Sequence, residues 1–136
     1  MSYTKQTDLP IGKDTEYLLK MWMEKSLVDS LPKVFRHALY PQVLKTIAQM
    51  VSDVYFANSI KEEKKEHLQR YIARLQMLKV YTRALHETRV KQTVDKDDKQ
   101  KNWFGLSHKK ASLFFDLYEK LLKQAVTWKN YTRNEK

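Results

Sequence analysis

The stretch "HLQRYIARLQMLKVYTRAL", residues 67–85, holds neither glycine nor proline. Leu68, Tyr71, Ile72, Leu75, Leu78 and Leu85 recur along it at helical spacing. It reads as the centre of one long helix, expected over residues 60–90. The rest of the chain follows the same economy. Only two glycines and three prolines occur in 136 residues, so the chemistry of tight β-turns is almost missing. Long unbroken segments and a length suited to one domain predict an all-α protein, an antiparallel up-down four-helix bundle.

Working outward, a first helix is expected over 14–29. Asp14 would cap it, and Tyr17, Leu18, Met21, Trp22, Leu27 and Val28 form its apolar stripe. Leu31–Pro32 stops this helix, because a residue before proline avoids the helical region. Pro41 suits a first turn and opens a second helix over 40–58, with Leu44, Ile47, Ala48, Val51, Val54 and Tyr55 facing inward. Between them, residues 33–40 read as an elbow. Val34, Phe35 and Leu39 would tuck onto the core, leaving Lys33, Arg36 and His37 in water. Ser59 with Glu62 suggests a capping box for the third helix. The fourth is expected over 107–131, with Ala111, Phe114, Phe115, Tyr118, Leu121, Leu122, Ala125 and Trp128 inside. Residues 1–13 and 132–136 read as flexible termini. Residues 91–106 read as a charged, mobile loop, anchored at its end by Trp103 and Phe104.

Two helices carry more apolar surface than one core face needs. The third has a second stripe, Ala73, Met77, Val80 and Ala84. The fourth adds Leu113, Leu117 and Val126. Helices apolar on two sides are usually covered on two sides. Met77, Val80, Ala84, Leu113 and Leu117 are therefore candidates for an interface in a homo-oligomer. The competing reading is a wide monomeric core with untidy edges.

Charge points to a partner. There are 26 Lys+Arg against 16 Asp+Glu, a formal net charge of +10, and the pI is about 9.7. Such a surface attracts polyanions, nucleic acid first among them. Past Glu66 the third helix is almost purely basic, with Arg70, Arg74, Lys79, Arg83 and Arg89. Cations repeated along a helix suit phosphate contacts and read no bases by themselves. RNA and DNA are thus expected partners, bound with little sequence specificity. The competing reading is a solvated helix face.

Catalytic chemistry finds no foothold. No cysteine is present, which excludes thiolate sites and fits a reducing cytoplasm. His37, His67, His86 and His108 make no metal-binding spacing, so no metal or cofactor is expected. There is no glycine-rich phosphate loop and no nucleophile elbow. No apolar run approaches the roughly 20 residues of a membrane span. The protein is expected to be soluble and non-enzymatic.

The order "VDSLPKVFRHAL", "YPQVLKTIAQMVSDVYFANS", "EEKKEHLQRYIARLQMLKVYTRALHETRV" and "SHKKASLFFDLYEKLLKQAVTWKN" resembles the accessory variability determinant (Avd) proteins of diversity-generating retroelements. It is similar too to four-helix-bundle proteins encoded within ribosomal RNA intervening sequences. The resemblance spans about residues 14–131. Its markers are the corner of Pro32, Lys33, Arg36 and His37, the 67–85 helix, and the Ser-led last helix. It implies a barrel-like homopentamer with no catalytic site, which binds a reverse transcriptase and its template RNA and supports mutagenic cDNA synthesis. Arg36, Arg70, Arg74, Arg83 and Arg89 match the family's basic pattern, and the resemblance makes them RNA or transcriptase contacts. Residues 91–106 are longer and more charged than the family's loop. Two other readings compete: an intervening-sequence-type RNA binder without a polymerase, and a structural helical interaction protein.

Overall fold

The computed structural model describes residues 10–94 and 104–131, with 91–94 described by their backbone only. Six α-helices account for most of them: α1 (Pro10–Met23), α2 (Lys25–Ser30), α3 (Lys33–Ala38), α4 (Tyr40–Ser59), α5 (Lys64–Val94) and α6 (His108–Asn130). No strand occurs among the described residues. Residues 1–9 of the expected flexible terminus 1–13, residues 132–136, and residues 95–103 of the expected loop, Trp103 among them, lie outside the described residues, whereas residues 10–13 belong to α1.

Several boundaries differ from the sequence reading. The first helix already includes Pro10, a turn ahead of the expected start at Asp14. Asp14 lies one turn inside and accepts from Gln124 Nε2 at 3.1 Å. The expected 14–29 helix is two helices. Glu24 adopts an extended conformation (φ −61°, ψ 135°) and bends the chain between α1 and α2. Ser59 is no cap. It ends α4, Ile60 breaks the helix (φ −124°, ψ 93°), and Lys61–Glu63 form a 3-10 turn before α5. Residues 91–94, expected in a loop, continue α5. Other signals hold: Leu31 is extended before Pro32, Pro41 sits in the first turn of α4, and Ser107 caps α6 by accepting from the Lys110 N–H at 3.2 Å.

The helices pack together, α1 on α4 and α6, α4 on α5, and α5 on α6. The contacts of α1 and of α5 with α6 run in opposite directions. Asp14 meets Gln124 while Glu24 meets Lys110, and Lys64 meets Tyr131 while His86 meets His108. On α5, besides His67, the buried positions 64, 68, 71, 75, 78, 82 and 85 alternate by four and three. That is the seam of helices crossing at a shallow angle. Position 82 in it is a threonine, and Thr15 is its counterpart on α1.

These threonines are not apolar substitutes. Thr15 Oγ1 donates to Ile11 O at 2.6 Å, so the Tyr71 hydroxyl donates to Thr15 at 2.7 Å, since a hydroxyl has one proton. Thr82 Oγ1 likewise donates to Leu78 O at 2.8 Å and accepts from Tyr118 at 2.7 Å. Trp22 Nε1 completes the second chain by donating to the Tyr118 oxygen at 3.2 Å. The hydroxyls of Thr15, Tyr71, Thr82 and Tyr118 and the Trp22 indole N–H are therefore satisfied across α1, α5 and α6. Burial pushes both phenols far above the ordinary tyrosine range, so both remain protonated donors.

Inward faces were only partly anticipated. Tyr17, Ala48 and Tyr55, expected inside, are exposed, and α4 buries Val43, Met50 and Ala57 with Ile47 and Val54. Its apolar residues cover more than one face, and the neighbours α1 and α5 choose which. In the elbow only Phe35 is buried, against Tyr81 at 6.3 Å, whereas Val34 and Leu39 stay exposed. Leu117 is a core residue at 9 % exposure, which removes it from the interface candidates.

The segment entering α6 is fastened through backbone. Gly105 N–H donates to Ser30 O at 2.7 Å and Leu106 N–H to Leu85 O at 3.1 Å. Gly105 has φ +93°, and a Cβ there would stand 2.3 Å from the Leu85 carbonyl oxygen. Gly105→Ala is expected to cost more than about 2 kcal/mol, since left-handed backbone strain and a clash with main chain add. Thermal unfolding should show Tm lowered by at least about 6 °C. An unchanged Tm would refute this account of the joint.

Candidate nucleic-acid interface

The cations expected to form one basic helix face do not share a face. Arg74 turns toward α4 and pairs with Asp53, which is buried. His67 adds to this cluster, its Nδ1 3.4 Å from Asp53 and its Nε2 3.1 Å from Glu63. The ring of Phe56 stacks on His67 at 5.4 Å. Lys79 leaves on the opposite flank and lies 3.6 Å from Glu119 of α6. Arg70 points outward, paired with Glu66 one turn back at 2.5 Å. A four-residue spacing put Arg70 and Arg74 side by side in sequence, but 40° of rotation sends them to different neighbours.

Arg36 also differs from expectation. It is half-buried, and its Nη2 donates to the carbonyls of Asp29 at 3.3 Å and Leu31 at 3.4 Å. These are acceptors left over at the end of α2, so Arg36 ties the elbow together. Lys33 and His37 are exposed, as expected.

What the fold assembles is a basic end. The α3 elbow reaches the C-terminal half of α5 through Phe35 and Tyr81. Gly105 joins the end of α2 to the start of α6. Lys33, Arg36 and His37 thereby share one end with Arg83, Arg89, Lys109 and Lys110. A cleft of about 190 Å³ there is lined by Ser26, Ser30, Arg89, Ser107 and Lys110. It opens beside the α6 N-terminus, where the helix dipole favours negative charge. Glu24, Asp29 and Glu87 are the nearby acids, and Asp29 is held by Lys25 at 2.8 Å. Arg83, Lys33 and Lys109 have no ion-pair partner among the described residues. Lys109 and Lys110 follow the Ser-led start of the last helix in the chain, and nothing in their local sequence links them to the elbow.

A second concavity, an apolar groove of about 520 Å³, lies between the start of α1 and the end of α6, beside Ile11, Trp128, Lys120 and Lys123. No group of His, Asp and Glu able to hold a metal occurs among the described residues. No described helix is long and apolar enough to cross a membrane. Comparison with protein-family models, curated proteins and solved structures found no match to this chain.

Proposed function

We propose that the four long helices make an antiparallel up-down four-helix bundle that acts without catalysis, as a basic nucleic-acid-binding accessory protein of the cytoplasm. Its partners, by its resemblance to the Avd proteins, are a retroelement reverse transcriptase and its template RNA, and its role is to support mutagenic cDNA synthesis. A homo-oligomer belongs to the same reading. The observation that carries the nucleic-acid part is the net charge of +10 together with Lys33, Arg83 and Lys109, exposed and unpaired among the described residues at one end. The pairing of Arg74 with Asp53 and of Lys79 with Glu119 supports the competing structural reading, because it turns two of the expected cations toward neighbouring helices.

RNA affinity against salt separates the two. With about six phosphates neutralised, binding should weaken by roughly a thousandfold between 50 and 200 mM salt. A triple variant, Lys33→Glu, Arg83→Glu and Lys109→Glu, should lose at least about a hundredfold in affinity and keep its helicity. A shallow salt slope, or a triple variant that binds like the parent, would sink the nucleic-acid reading. Co-purification with a transcriptase encoded beside this gene tests the accessory role.

A further inference from the structure

The outer face of α5 carries a stripe that is self-complementary. Ala73, Met77, Val80 and Ala84 are exposed in the folded chain, Met77 at 49 % and Val80 at 50 %. They alternate by four and three, so they lie in one line. Arg70 stands one turn before them and Glu87 one turn after, both exposed. Read backwards from Glu87, the stripe repeats its own chemistry: charge, small, large, large, small, opposite charge.

We infer that this face binds α5 of a second copy of the chain, antiparallel, about a two-fold axis between Met77 and Val80. Each Met77 then faces the second copy's Val80, and each Ala73 its Ala84. Small residues at both ends let the helices approach, and the large pair fills the crossing. Arg70 falls opposite the second copy's Glu87, and the axis makes this pair twice. On one flank Arg83 meets Gln76, so no like charges oppose one another there. A parallel arrangement would set Arg70 against Arg70 and is disfavoured. The pattern thus selects its occupant by charge as well as by apolarity. A two-fold contact closes at two copies, whereas the ring of five implied by the resemblance needs two different patches per subunit. The inference rests on α5 alone and is independent of nucleic-acid binding.

Sedimentation equilibrium at high micromolar concentration should give twice the chain mass of 16.3 kDa. Met77→Glu should reduce it to the single-chain mass with helicity unchanged. Glu87→Arg should weaken association about tenfold, because each change acts twice, and adding Arg70→Glu should restore it to within about threefold. The chain has no cysteine, so register can be read directly. An Ala73→Cys chain mixed with an Ala84→Cys chain should oxidise to a covalent dimer, and neither should do so alone. A parent that stays monomeric or forms pentamers, a double swap that fails to restore, or an Ala73→Cys chain that cross-links with itself would overturn the proposal.

Discussion

Arg74→Glu is expected to lower the stability of the fold by about 3–5 kcal/mol, the cost of leaving a buried charge without its partner. Asp53 has 5 % exposure and stands on a helix face that is otherwise Val43, Ile47, Met50, Val54 and Ala57. Its carboxylate is compensated by Arg74 from α5, with His67 at 3.4 Å on its other side. A glutamate at 74 would replace attraction by repulsion in a site with little water to screen it. Arg74 is partly exposed, 27 % by side chain, so a long glutamate could turn outward, which sets the figure at the lower part of that range. The loss is still a large share of a typical domain's total of roughly 5–15 kcal/mol. Arg70→Glu is the control: its pair with Glu66 is solvent-exposed, and the change should cost no more than about 1 kcal/mol. Urea unfolding followed by helical circular dichroism would measure both. Equal midpoints for the two variants would show that the Asp53 cluster does not hold α4 to α5. The comparison matters for function too, because a loss of RNA binding by Arg74→Glu would then report a damaged fold.

Trp22→Ala should cost about 3–5 kcal/mol, as for other large aromatic truncations in a core. Trp22 is fully buried, its ring centroid 5.0 Å from that of Phe114. It touches two other elements: Phe114 and Tyr118 on α6 from its side chain, and the elbow through its carbonyl, which accepts from Tyr40 at 2.7 Å. The cavity left by alanine lies where α1, α5 and α6 meet, and rigid helices close such a gap poorly. Trp22→Phe separates packing from hydrogen bonding. It keeps a ring against Phe114 and loses only the donor to Tyr118, about 1 kcal/mol. If Trp22→Phe were as damaging as Trp22→Ala, the indole hydrogen bond and not the volume would be the main contribution.

The period of α5 was legible because a helix repeats its buried face every three or four residues whatever packs on it. Leu68, Tyr71, Leu75, Leu78 and Leu85 announced themselves in this way, and proline's fixed geometry announced the stop before Pro32 and the helix start at Pro41. Thr15 and Thr82 did not. A threonine in an apolar stripe looks like an interruption until the tyrosine hydroxyl that satisfies it is seen across the core. The inner face of α4 was misread by part of a turn, since Ala48 and Tyr55 are as apolar as Val43 and Ala57. Leu117 looked surplus for the same reason, because only the approach of neighbouring helices decided how far the buried arc extends.

Charge followed the same division. Pairs one turn apart, such as Glu66 with Arg70 or Lys25 with Asp29, can be read from spacing alone. Pairs between helices, such as Asp53 with Arg74 or Lys79 with Glu119, cannot. By itself the sequence determined the helical content, the main breaks and the sign of the surface, because those depend on local backbone preference and on composition. Only the tertiary structure decided which cations remain at the surface and which are used internally. It also decided that Lys33 and His37 share an end with Arg83 and Lys109. Those outcomes depend on contacts between residues far apart in the chain, and no local rule carries that information.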